Sequence, residues 1–127
     1  DRKLPSDIIW LVDSLHLQFM LGEMSWCSFR VLDIEDASMS IKITLTPGHG
    51  MSDHSHENRD EVWTVISGTG HAILDGVRRD VKAGDILTMP AGCRHTVFAD
   101  SELKIIEVQL GPAISVEDKQ KYPLPQA

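Results

Sequence analysis

The chain has 127 residues, 42% of them hydrophobic and 24% charged, which fits one globular domain able to bury a core without disulfide staples and excludes a disordered chain. Nineteen Asp and Glu against twelve Lys and Arg give a formal charge of −7, which argues against nucleic acid as a partner, because displacing phosphate counterions takes a basic surface. No apolar run reaches the roughly 18 residues of a membrane span, and Cys27 and Cys93, with no CxxC pair, read as reduced thiols of a cytoplasmic protein.

The sequence opens on Asp1 rather than Met, so a native start and any targeting signal are expected to lie outside it. Leu4-Pro5-Ser6-Asp7 sets capping residues before Ile8-Ile9-Trp10-Leu11-Val12 and predicts a short N-terminal helical or extended segment. From Trp26 the pattern turns to β. Phe29–Leu32 and Met39–Leu45 are β-type runs separated by Asp33-Ile34-Glu35-Asp36. Short strands follow at Val62–Ile66, Ala72–Leu74, Ile86–Met89, Thr96–Phe98 and Leu103–Leu110.

The breaks between them are regular: Pro47-Gly48, Gly68-Thr69-Gly70, Asp75-Gly76, Ala83-Gly84-Asp85, Pro90-Ala91-Gly92 and Asp100-Ser101. Asp75-Gly76 predicts a two-residue hairpin turn, since both residues tolerate positive φ. Short strands at this spacing build a sandwich or barrel. Residues 112–127 form a polar tail, with one helical turn expected around Val116–Lys121. The whole reads as a single all-β domain, 1–127, with its core in about 26–111.

The chemistry concentrates in Gly48-His49-Gly50-Met51-Ser52-Asp53-His54-Ser55-His56-Glu57-Asn58-Arg59-Asp60-Glu61. On an extended chain His54 and His56 share a face, about 6.6 Å apart along the strand, so both imidazoles can converge on one ion. A hairpin return would bring Glu61 beside them, and His95, after the turn at Pro90-Ala91-Gly92, supplies a third imidazole. Three neutral imidazoles and a carboxylate suit one divalent ion, Zn first and Mn, Fe, Co or Ni after it. They leave a coordination position open, as in catalytic sites. Two histidines alone in a polar loop would read as solvated side chains; the wider spacing changes that.

Gly48, five residues, His54-x-His56, four residues, Glu61, six residues and Gly68 are similar to the first motif of the cupin family. Gly84, five residues, Pro90-x-Gly92, two residues and His95 are similar to the second, with Ala99 in place of its terminal Asn. The resemblance covers about 40–100 and implies a double-stranded β-helix, or jelly-roll, barrel that holds a metal ion on His54, His56, Glu61 and His95. The flanks narrow it. Arg59-x-Glu61-x-Trp63, the run on to Gly70, and Glu107-Val108-Gln109-x-Gly111 resemble the cupin portion of type II mannose-6-phosphate isomerases, as do Lys42 and Trp26. That family usually carries His where Val62 stands and Gln where His54 stands, and closes on Tyr-Gly-Arg where this chain has Tyr122-Pro123-Leu124. No nucleotidyltransferase sequence, to which such cupins are often fused, precedes the barrel here, so a stand-alone cupin or an excised piece is expected.

The resemblance implies a metal-dependent aldose–ketose isomerase acting on a small-molecule substrate, a sugar phosphate. In such an enzyme a metal ion lowers the cost of an enediolate and a carboxylate moves the proton between adjacent carbons. Glu107 is the candidate base, because it shares an alternation face with Gln109; the same pair also reads as the wet side of a half-buried strand. Lys42 and Arg59 are the candidate phosphate cations. Trp63, inside a strand, reads as core before sugar platform, and His49, His71 and Cys93 carry no assigned role. Two other readings stand beside this one: a metal-dependent cupin dioxygenase, and a non-catalytic module binding a carbohydrate or sugar nucleotide. Because both faces of Val62–Ile66 are largely apolar, a homodimer is expected.

Overall fold

The computed structural model describes residues 27–112, 114 and 117–123. The expected N-terminal segment and Trp26 lie outside the described residues. Within them run β1 (Cys27–Ile34), β2 (Ser38–Leu45), β3 (Asp53–Ser55), β4 (Asp60–Ser67), β5 (Thr69–Leu74), β6 (Val77–Lys82), β7 (Ile86–Met89), β8 (His95–Ala99), β9 (Leu103–Leu110) and β10 (Gln120–Tyr122). They form two five-stranded sheets, ordered β1-β2-β9-β4-β7 and β10-β3-β8-β5-β6, in which every pairing is antiparallel. This is the all-β jelly roll expected.

Alternation decides which side chains enter the barrel. β2 buries Met39, Ile41, Ile43 and Leu45 and turns Ser38, Ser40, Lys42 and Thr44 outward. Opposite it, β9 buries Leu103 and Ile105 and then, in the same inward phase, Glu107 and Gln109. β4 does the reverse, burying Glu61 first and Trp63 and Val65 after it. Registers align these rows: Val65 faces Ile105, Trp63 faces Glu107, and Glu61 faces Gln109. One end of the barrel is therefore packed with Leu45, Val65, Leu103 and Ile105, each such side chain contributing about 1.5–3 kcal/mol on burial. Toward the other end Glu61, Glu107 and Gln109 enter the interior between Met39 and Ile41 on one side and Leu87 and Met89 on the other.

The second sheet repeats the gradient. Ala99, Val97 and His95 point inward in turn along β8, the last beside the polar rows of the first sheet. The Asp75-Gly76 hairpin forms as expected between β5 and β6, with φ of 47° and 83° at its two turn residues. Over the described part of Val116–Lys121 there is no helical turn. Glu117 is a turn residue, and Gln120–Tyr122 pairs with β3 as a strand, because the short β3 has an open edge there that an extended tail satisfies.

Candidate metal centre

His54 and His95 face each other across β3 and β8 as direct register partners, with ring centroids 4.2 Å apart. His56 follows β3 at once, its ring 4.9 Å from that of His54 and 5.3 Å from that of His95. Glu61 reaches them from β4. β3 and β4 belong to different sheets, so the carboxylate arrives across the barrel and not by the hairpin return expected. All four side chains are buried, and their candidate ligand atoms lie within 4.8 Å of one another.

The orientation of the rings is uniform. Nδ1–H of His54 donates to the Ser52 carbonyl at 2.7 Å, that of His95 to the Cys93 carbonyl at 2.9 Å, and that of His56 to the Asp118 carbonyl at 2.6 Å. A carbonyl can only accept, so each neutral ring is left with Nε2 as a lone pair. The Nε2 atoms of His56 and His95 lie 3.1 and 3.3 Å from the two Glu61 oxygens. Lone pairs and a carboxylate at that range repel unless a proton or cation stands among them. His56 Nε2 receives one proton, from Arg59 Nη2 at 3.2 Å, while the buried His95 Nε2 has no hydrogen-bond partner. Two atoms bound to a single ion at about 2.0–2.2 Å lie about 3 Å apart. The cluster is thus compatible with a divalent metal ion in donor type, protonation and spacing.

Charge is arranged to match. Burial alone would raise the Glu61 carboxyl, but the close His56 and His95 side chains and the positive Arg59 outweigh it and hold Glu61 well below its ordinary value. Arg59 Nε donates to Glu61 Oε2 at 2.9 Å. Burial first, with the positive Lys119 adding to it, holds His54 well below the usual imidazole range. One ligand is kept ionised and another neutral, the forms that bind a metal.

Behind Glu61 lies a second buried carboxyl. Trp63 Nε1–H donates to Glu107 at 2.7 Å and lies 3.3 Å from Glu61 Oε1. Gln109 Nε2 donates to the other Glu107 oxygen at 2.7 Å, leaving the buried Gln109 Oε1 without a partner. Burial first, and the charge of Glu61 second, push Glu107 up to about 8. Of the alternatives for Glu107 and Gln109, the structure takes the interior one.

Lys42 is corrected. It stands on the outer face of β2, opposite Ile106 of β9, while its neighbours Ile41 and Ile43 point inward. Arg59 is buried and engaged with Glu61 and His56. Trp63 is core, as read, but its indole N–H also bridges the two carboxyls. Asp118, which orients His56, went unread, since a backbone carbonyl leaves no residue-type signature.

Residues 41–109 match the cupin domain family model, more than half of the sequence, and the chain belongs to that family. Mannose-1-phosphate guanylyltransferase of Escherichia coli K12 is 27% identical over 99 residues, covering 76% of this chain and 21% of that protein. Mannose-1-phosphate guanylyltransferase ManC of Salmonella typhimurium is 25% identical over 131 residues, covering 96% and 27%. The chain spans only about a fifth to a quarter of the length of these relatives. The resemblance read in the motif flanks agrees with this kinship. Among solved structures, KdgF from a Halomonas species superposes with a TM-score of 0.65 at 20% identity, over 70% of this chain and 83% of that one. Salicylate 1,2-dioxygenase from Pseudaminobacter salicylatoxidans gives 0.66 at 14% identity, over 84% and 33%. Both show a shared fold. No helix among the described residues is long and apolar enough to cross a membrane.

Proposed function

We propose that this cupin is a metal-dependent aldose–ketose isomerase of the mannose-6-phosphate isomerase type, acting on a sugar phosphate. The observation that carries the reading is a pair of buried carboxyls around one indole donor, Glu61 among three imidazoles and Glu107 beside it, with surroundings that lower the first and raise the second. Pairs of titratable groups pushed apart by their surroundings mark acid–base chemistry. His54, His56, Glu61 and His95 would hold the ion. A divalent ion there would act as a Lewis acid toward the carbonyl and neighbouring hydroxyl of a bound sugar.

Glu107 takes the proton from one carbon of the substrate and returns it to the adjacent one, so the carboxyl ends as it began. A value of about 8 puts both forms within reach at physiological pH, which a group that must accept and then donate requires. Gln109 and Trp63 fix its two oxygens, and Arg59 serves as the counter-ion of Glu61. Lys42, facing outward, has no part in this reading.

The test is solvent deuterium exchange. Metal-loaded protein incubated in D2O with fructose 6-phosphate or mannose 6-phosphate should place label at C1 or C2, and the unphosphorylated sugars should label far more slowly. Failure to label any aldose or ketose phosphate, with metal bound, would refute the isomerase and leave a binding module. Oxygen uptake by an iron-loaded sample would point to the dioxygenase reading instead.

A further inference from the structure

Two of the three histidines are oriented locally: the accepting carbonyls of Ser52 and Cys93 lie two residues before His54 and His95, just ahead of β3 and β8. His56 differs, because the carbonyl that takes its Nδ1–H belongs to Asp118, sixty-two residues on. We propose that Asp118 is a positioning residue of the metal centre, and that the tail carrying it completes the centre by fixing the ring and backbone of His56. The proposal rests on reading the cluster as a metal site.

Asp118 grips the ligand twice. Its carbonyl accepts from the His56 ring, and its carboxylate accepts from the next two backbone amides, Glu57 N–H at Oδ1 and Asn58 N–H at Oδ2, both at 2.8 Å. The ring is thereby held in the tautomer that leaves Nε2 for the centre, and the turn after β3 is held in place. Either contact alone would be an ordinary loop bond. Together they tie one residue to the side chain and to the following main chain of a single ligand.

The tail that presents Asp118 is docked by independent contacts. Gln120, Lys121 and Tyr122 pair with Ser55, His54 and Asp53. The Tyr122 hydroxyl is 2.8 Å from Ser55 Oγ, and the Arg94 guanidinium lies 4.0 Å over the Tyr122 ring while Nη2 donates to Asp53 at 2.7 Å. These contacts fall on β3 and its neighbour β8, so the tail reaches His56 from the strands that carry the other two imidazoles.

Groups that orient a metal-binding histidine through its second nitrogen typically carry about 10–100-fold in metal affinity. The test compares the whole chain with Asp118→Ala and Asp118→Asn. Zinc and cobalt dissociation constants are measured by competition with a chromophoric chelator, and the tautomers of the metal-free protein by 15N NMR of its histidines. Asp118→Ala keeps the peptide carbonyl but loses the carboxylate that pins it over His56, so it should weaken zinc binding by about 10–100-fold, with His56 becoming a mixture of tautomers while His54 and His95 keep theirs. Asp118→Asn, which retains one of two acceptors, should fall between. Equal zinc affinity and an unchanged His56 tautomer overturn the role of Asp118, as does loss of all three tautomers together, which would mark general unfolding. If the Ala variant does not fold, the Asn variant decides by the same two readouts. A wild-type chain that takes up neither ion overturns the metal reading itself, and the proposal with it.

Discussion

Glu61 and Glu107 sit on paired strands as two buried carboxyls sharing one indole donor, Trp63 Nε1, which lies 3.3 Å from the first and 2.7 Å from the second. The shared proton cannot serve two full negative charges in a low-dielectric interior. The cationic and imidazole partners gather on Glu61, and Glu107 takes up the proton.

Replacing Glu107 by Gln should therefore stabilise the metal-free protein. Its carboxyl is raised from 4.5 to about 8 on folding, by burial first and the Glu61 charge second. An acid so raised supports the fold fully below about pH 4.5 and loses that support as the pH climbs through 8. Glu107→Gln removes the slope, and its new amide can donate to the unpartnered Gln109 Oε1 once that side chain flips. The expected gain is on the order of 1–3 kcal/mol at pH 8 to 9 and little at pH 5. Denaturant melts across that range would check it, and a variant less stable at high pH than wild type would contradict it. Isomerase turnover in the same variant should fall by about 10²–10⁴-fold.

Metal affinity should stay nearly level through neutral pH and decline only well below 6.5, the ordinary imidazole value, where His54 takes up its proton. His54, lowered on folding by burial and the positive Lys119, and Glu61, lowered despite burial by its His and Arg partners, are already in ligand form at neutral pH. A lowered histidine also supports the fold above 6.5 and loses that support as the pH falls through its folded value. Chelator competition at stepped pH would show the plateau; affinity already lost by pH 7 would not fit.

Removing a ligand should cost more than removing its support. His95→Ala or His56→Ala should weaken zinc binding by more than about 100-fold, the upper end for an orienting group. Equilibrium dialysis with metal analysis is sufficient, and either variant keeping stoichiometric zinc at wild-type affinity would dissolve the site.

Two glycines with similar φ should respond differently. A Cβ on Gly68 (φ +90°) would collide with the Glu102 carbonyl, whereas one on Gly76 (φ +83°) meets nothing within 4 Å. Gly76→Ala should cost about 1–2 kcal/mol from backbone conformation alone. Gly68→Ala, with backbone displaced as well, should cost upward of about 3 kcal/mol. Urea midpoints of the pair would rank them.

The outer face of the first sheet carries Val62, Ile106 and Val108 half-buried, with Ile66 (42%), Ile86 (57%) and Leu110 (43%) exposed. Such a patch favours association, so the chain should sediment as a homodimer at micromolar concentration, and Ile66→Lys with Ile86→Lys should yield monomers. A monomeric wild type would remove the expectation.

β2 was legible because burial on one face leaves a period-two trace, and β4 because it is a short run rich in β-branched and aromatic residues. β6, mostly charged in Val77–Lys82, and the three-residue β3 and β10 left none. In β9 hydrophobicity reads backwards: Ile106, Val108 and Leu110 face out while Glu107 and Gln109 face in, since the interior there serves a polar site. The four clustered side chains were legible from spacing. The outward position of Lys42 was readable too, since Ile41 and Ile43 fix the phase of β2. The link from Asp118 to His56 depends on a peptide oxygen, which any residue possesses.

The central partnerships of the first sheet join β2 to β9, from 58 to 72 positions apart in the sequence. The clustered side chains come from β3, its exit, β4 and β8, drawn from both sheets. No early local hairpin holds the set, and long-range pairing is slow to form. An ion would therefore be a latecomer, admitted after chain closure and without influence on the folding nucleus; bound there, it would act as a brake on the reverse journey.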